Sequence, residues 1–141
     1  MRSLPPLFLA FAITAVAQAP SYQAVGTMSQ LMVDVIYPTS NAIFYIQRTP
    51  PQTDADWEGI RTNALTMAES ANLLMMPARA RDNNRWMADA RLLLDAGNKA
   101  YQAALAKDMA AIMALNEPLN TACVQCHMDY RPNYRRRPAQ R

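Results

Sequence analysis

Thr53–Met76, TDADWEGIRTNALTMAESANLLMM, is the stretch that decides the fold class. Trp57, Ile60, Ala64, Leu65, Ala68, Ala71 and Leu74 or Met75 recur every three or four residues. That spacing lines them along one face of a helix. Thr53 or Asp54 supplies the cap, and Asp56 and Glu58 suit the positive end of the helix dipole. Pro77 disfavours helical geometry in the residue before it, so the helix ends near Met76. A long helix with one apolar stripe must bury that stripe against other elements.

Its neighbours read the same way. On the amino-terminal side, Val25, Met28, Leu31, Met32, Val35 and Ile36 keep helical spacing within 22–47, and Ala42, Ile43 and Ile46 continue the face. Pro38 interrupts it, because proline lacks an N–H and crowds the preceding turn. A kink is expected there, with Thr39 or Ser40 restarting the helix. Thr49–Thr53 is the clearest linker.

On the carboxyl side, a third helix runs from Asp82 or Asn83 to about Leu105. Trp86, Ala90, Leu93, Leu94, Ala100, Tyr101 and Ala104 share one face. Gly97 weakens this helix by up to about 1 kcal/mol relative to alanine. It marks a bend or a close approach to something bulky. A fourth helix starts near Lys107–Asp108 and carries Met109, Ile112, Met113, Leu115, Leu119 and Ala122. Glu117–Pro118 kinks or splits it, and Pro132 stops it. No solenoid repeat and no strand pair is evident. Four amphipathic segments with short links predict an all-α, antiparallel up-down-up-down four-helix bundle.

The fourth helix ends in Cys123-Val124-Gln125-Cys126-His127, which holds both cysteines and the single histidine of the 141 residues. C-x-x-C-H is the spacing at which a c-type haem is attached. Two thiols about one helical turn apart reach two vinyl groups of one porphyrin, and the next residue sets an imidazole under the iron. A structural zinc site wants four Cys or His ligands, and only three exist here. A redox C-x-x-C wants a βαβ context, which is absent. A plain disulfide leaves His127 unexplained. One covalent haem c is therefore the expected cofactor.

The amino terminus agrees. Arg2 precedes the uncharged run Leu4–Ala17, and Ala17-Gln18-Ala19 offers small residues for cleavage. This is the layout of a signal peptide over residues 1–19. The run is too short to span a bilayer, which needs about 20 apolar residues, so the mature chain is expected to have no membrane span. Export to the bacterial periplasm fits, because c-type attachment is completed outside the cytoplasm, where stray thiols oxidise.

The expected domain is 20–131, followed by a basic tail over 132–141. Arg131, Arg135, Arg136, Arg137 and Arg141 fall in the last eleven residues. The body from Pro20 to Tyr130 carries eight basic and eleven acidic side chains and is net −3. The tail is either a docking arm for an anionic partner or a solvated end. An exported chain is not expected to meet nucleic acid. With no second histidine, no nucleophile beyond the two thiols and no phosphate loop, an enzyme is not expected.

Cys123-x-x-Cys126-His127-x-x-Tyr130-Arg131 at the end of a helical chain resembles the class II c-type cytochromes, which include cytochrome c′ and the low-spin cytochrome c556 group. The resemblance spans the mature chain, with Trp86 near the start of the third helix. The proline in the first helix and the arginine-rich extension depart from the family core.

The resemblance implies that Cys123 and Cys126 bind haem by thioethers and that His127 is the proximal ligand. It puts Arg131 near the haem edge, offsetting propionate charge. The same side chain also suits a helix C-terminus. Tyr130 is expected to pack, with a hydrogen bond to a haem propionate as the alternative, since a buried hydroxyl needs some partner. On the distal side, low-spin members use a first-helix methionine, and Met32 lies where it is expected. Met28, one turn earlier, is the rival. A Met32/His127 pair implies an electron carrier with redox protein partners. An open distal face implies binding of nitric oxide or carbon monoxide instead. A homodimer through the first two helices is implied by analogy.

Overall fold

The computed structural model describes residues 22–134. The expected signal peptide and its cleavage site, and the tail beyond Tyr134, lie outside the described residues.

The first helix, α1, occupies 28–44. It does not begin at Tyr22 as its apolar spacing suggests. Thr27 Oγ1 accepts from Gln30 N–H at 3.2 Å, and Gln30 Oε1 accepts from Thr27 N–H at 2.9 Å. This reciprocal pair satisfies two free amides at once and fixes the start.

Pro38 does not interrupt α1. The preceding segment, Leu31–Ile36, is π-helical, and an α-helix follows over Tyr37–Phe44. A widened turn relieves the crowding between a proline ring and the carbonyl four residues back. Thr39 and Ser40 do not restart anything. Thr39 Oγ1 donates to the Val35 carbonyl at 2.8 Å, and Ser40 Oγ donates to the Tyr37 carbonyl at 3.0 Å.

Helix α2 spans Asp54–Met75. Thr53 and Asp56 form its capping box, and Asp56 also accepts from Gln52 N–H at 3.0 Å. Ala64, Met67, Ala68, Ala71 and Leu74 are buried. Leu65, expected in the stripe, is 38 % exposed. It sits about 100° around the helix from Ala64, and Met67 fills the core in its place.

Helix α3 spans Arg85–Leu105. Asp82 Oδ1 opens it by accepting from Asn84 and Trp86 N–H at 2.9 and 3.1 Å. Gly97 is a close-approach residue, and α3 runs through it unbroken. The bulky neighbour is the backbone of α2 at Ala68, against which a Cβ on Gly97 would lie 2.8 Å from Cα.

The expected fourth helix is two. Helix α4, Met109–Met113, is capped by Asp108 Oδ1, which accepts from Ala111 N–H at 2.9 Å. Helix α5 spans Asn116–Tyr130. Pro118 falls in its first turn, where a missing N–H costs nothing. Arg131 is the C-cap, ahead of Pro132.

All regular secondary structure among the described residues is helical, with no strand. Packing passes from α1 to α2, from α2 to α3, and from α3 to α5. Ile43, Met67, Ile112 and Leu119 are the largest fully buried apolar side chains. Among the described residues no helix is long and apolar enough to cross a membrane.

Candidate functional site

The last turns of α5 are fastened to the start of α3. Gln125 Nε2 donates to Asp89 Oδ1 at 2.7 Å, and Arg85 Nη1 pairs with Asp129 at 3.3 Å. Tyr130 stacks edge-on against Trp86, with centroids 4.9 Å apart, and its hydroxyl donates to Asp82 Oδ2. That bond holds the Asp82 carboxyl below the usual carboxylate range and pushes the Tyr130 hydroxyl up to about 12. Tyr130 thus packs as expected, and a carboxylate of its own chain satisfies its oxygen.

The fastened segment forms one side of a cleft that is partly open to solvent. Helix α5 contributes Ala122, Cys123, Cys126 and His127, and α1 contributes Met32 and Ile36. Leu74 of α2 and Ala90 and Leu93 of α3 complete an apolar lining, broken by Asp89. The structure therefore brings Cys123, Cys126, His127 and Met32 to one cavity. Met28 packs on the core without lining the cleft. Arg131 is exposed at the C-cap of α5, its guanidinium 5.8 Å from the Tyr134 ring, and does not line the cleft.

Burial sets the protonation of these groups. It raises the Cys123 thiol, and it raises Cys126 to about 11, with the Asp89 carboxylate adding to the effect. Both are uncharged thiols at neutral pH. Burial, then the Arg131 charge, lowers the His127 imidazole, so it too is neutral and has a free lone pair. The Tyr134 ring leans on it at 5.5 Å. Among the described residues no three His, Cys, Asp or Glu side chains converge into a cage for a bare ion. The donor set is instead a thioether and an imidazole beside two neutral thiols, in an apolar slot. These groups fit a covalent haem: thiols that could bond its edge, imidazole and thioether donors for its iron, and apolar walls for its faces. No protein-family model, curated protein or solved structure matches the chain.

Sequence reasoning passed over two residues. Tyr134 lies beyond the motif and carries no pattern. Asp89 had a signal: it falls between Trp86, Ala90 and Leu93 on the apolar face of α3. It is 1 % exposed, and its Oδ2 has no hydrogen-bond partner. Burial raises its pKa, Asp129 adds to this, and the Gln125 bond opposes it.

The unfolded chain therefore loses this proton first, near the ordinary value of about 4. Stability falls as pH rises from there through the folded pKa, and the full penalty remains above it. Asp89→Asn is expected to abolish this fall and to stabilise the chain at neutral pH by about 1 kcal/mol. Urea midpoints of both chains near pH 4 and near pH 8 check this. Parallel changes in the two chains would refute it.

Proposed function

We propose that this chain is an exported c-type cytochrome of the class II kind, holding one covalent haem and passing electrons between redox partners in the periplasm. The observation that carries the reading is that the C-x-x-C-H segment of α5 and Met32 of α1 line one apolar cleft. In this reading the helices form an antiparallel up-down-up-down bundle. Cys123 and Cys126 would hold the haem as thioethers, and His127 and Met32 would ligate its iron. A haem iron, when bound, would take one electron from one redox partner and give it up to another.

The chain's own residues do the rest. Ile36, Leu74, Ala90 and Leu93 keep water from the slot. Burial keeps His127 neutral and able to donate its lone pair. The Asp89–Gln125 bond and the Tyr130–Asp82 bond fix the α5 turn that carries His127. Arg131 does not line the cleft, and it would offset propionate charge from its exposed place at the C-cap of α5. The thioether favours the reduced state and raises the potential. Pairing of two copies through α1 and α2 belongs to the same reading.

The test is the optical spectrum of the haem-loaded protein, oxidised and reduced, with and without carbon monoxide. Sharp low-spin bands that carbon monoxide barely alters are expected. Met32→Ala is expected to give high-spin bands, bind carbon monoxide readily and lower the potential. A wild-type spectrum that is already high-spin and responsive to carbon monoxide would replace the electron carrier with a gas-binding protein.

A further inference from the structure

Met32 sits in the six-residue π-helical segment of α1, and Tyr37 N–H donates to the Met32 carbonyl. In an α-helix Tyr37 would donate to Val33 instead. The residue bonded to Tyr37 lies one turn below it, at one place on the helix surface. In the π register that residue is Met32. In the α register it is Val33.

The two candidates now occupy opposite situations. Met32 lines the cleft, whereas Val33, its neighbour, is 61 % exposed. Returning to the α register would carry the valine toward an apolar slot and restore ordinary helix bonding. The slot would exchange one apolar side chain for another, and the regained helix bonding favours the α register unless something opposes it.

Pro38 opposes it. It lies two residues beyond the π segment, after Tyr37, and has no N–H to give the Asp34 carbonyl, the bond that an α register would require. Its ring also crowds that carbonyl. The wider turn lets the chain pass, and the Thr39 hydroxyl bonds the Val35 and Ile36 carbonyls at 2.8 and 3.1 Å. A π turn within a helix recurs at functional sites, and this one carries the side chain that meets the α5 motif.

We propose that Pro38 is a positioning residue: with the π turn before it, it locks α1 in the register that offers Met32, and not Val33, to the cleft. The inference rests on reading the cleft as a haem site with sulfur at the sixth position. Which donor faces the iron is then selected by helix register. The same chain in the α register would present a side chain that cannot ligate.

The test compares the haem-loaded Pro38→Ala, Pro38→Ala/Val33→Met and Met32→Ala proteins with the parent. Two readouts serve: the sulfur-to-iron charge-transfer absorption with carbon monoxide sensitivity, and the NMR coupling across the Tyr37 hydrogen bond, which identifies the accepting carbonyl. Pro38→Ala is expected to move the acceptor from Met32 to Val33, lose the sulfur band and admit carbon monoxide. Adding Val33→Met is expected to restore the band.

A Pro38→Ala protein that keeps the Met32 acceptor and the sulfur band overturns the proposal. So does failure of Val33→Met to restore a lost band. Met32→Ala separates the two readings. If it loses the band while Pro38→Ala keeps it, the register lock falls and the ligand assignment stands. If Met32→Ala keeps its band, both fall.

Discussion

Trp86→Ala is expected to destabilise the fold by about 3–5 kcal/mol, the range for emptying a large aromatic site. The indole is 3 % exposed, and its Nε1 donates to the Leu74 carbonyl at 2.7 Å. Leu74 lies in the last turn of α2, where carbonyls have no partner within the helix. Trp86 therefore ends one helix, begins the next and supports the Tyr130 ring of a third. Alanine keeps the backbone N–H that meets Asp82 but removes both side-chain functions and leaves a buried acceptor unpaired. Trp86→Phe isolates the last part, because it keeps most of the ring and loses only the donor. Its expected cost is about 1–3 kcal/mol. Urea unfolding of the three chains measures both values. Against a typical total of about 5–15 kcal/mol, the alanine variant should unfold at a much lower midpoint. A shift of a few tenths of a kcal/mol would mean that the neighbours close over the gap.

Gly97→Leu is expected to prevent α2 and α3 from packing as they do. The smaller change, Gly97→Ala, shows why. In an exposed helix it would stabilise by about 1 kcal/mol. Here a Cβ would lie 2.8 Å from both Cα and N of Ala68. These are backbone atoms, and no side chain can swing aside. The helices must separate, along a seam that also buries Ala64, Ala71, Ala100 and Ala104. Overpacking of this kind costs about 1–3 kcal/mol, so the sign reverses and Gly97→Ala destabilises. Leucine adds three more carbons to the same contact. Thermal unfolding of the glycine, alanine and leucine chains should fall in that order, and a more stable alanine chain would refute the argument.

The sequence disclosed what is local. The cap at Thr53, the face built from Ala64, Ala68, Ala71 and Leu74, and the stop before Pro77 each depend on residues within a few turns. The motif from Cys123 to His127 was legible for the same reason. Three features were not, because each depends on a distant segment or a backbone choice. The phase of α1 hinges on a π turn that hydrophobic spacing cannot reveal: Leu31, Met32, Val35 and Ile36 suit either register. Tyr130 finds its acceptor in Asp82, 48 residues away. Asp89 was hidden by its own chemistry, since a carboxylate on an apolar face reads as an interruption until Gln125 arrives beside it. Leu65 was misassigned because its neighbour Ala64 holds the centre of the stripe and the larger side chain falls at the edge.

The seam at Ala68 and Gly97 has a consequence for the two sides of the cleft. Met32 is carried on α1, which rests on α2. His127 is carried on α5, which rests on α3. The span between Met32 and His127 is therefore set like the opening of a pair of calipers, and the pivot is the α2–α3 contact, one turn beyond Leu93 in the cleft. At that pivot backbone lies against backbone with no room for a methyl group. Close-packed interiors yield little and transmit strain. If the proposed haem is bound, this frame would hold its two ligating side chains at a constant separation while the charge of the iron changes by one electron. The glycine that weakens α3 as a helix is thus the place where the chain gains rigidity as a frame.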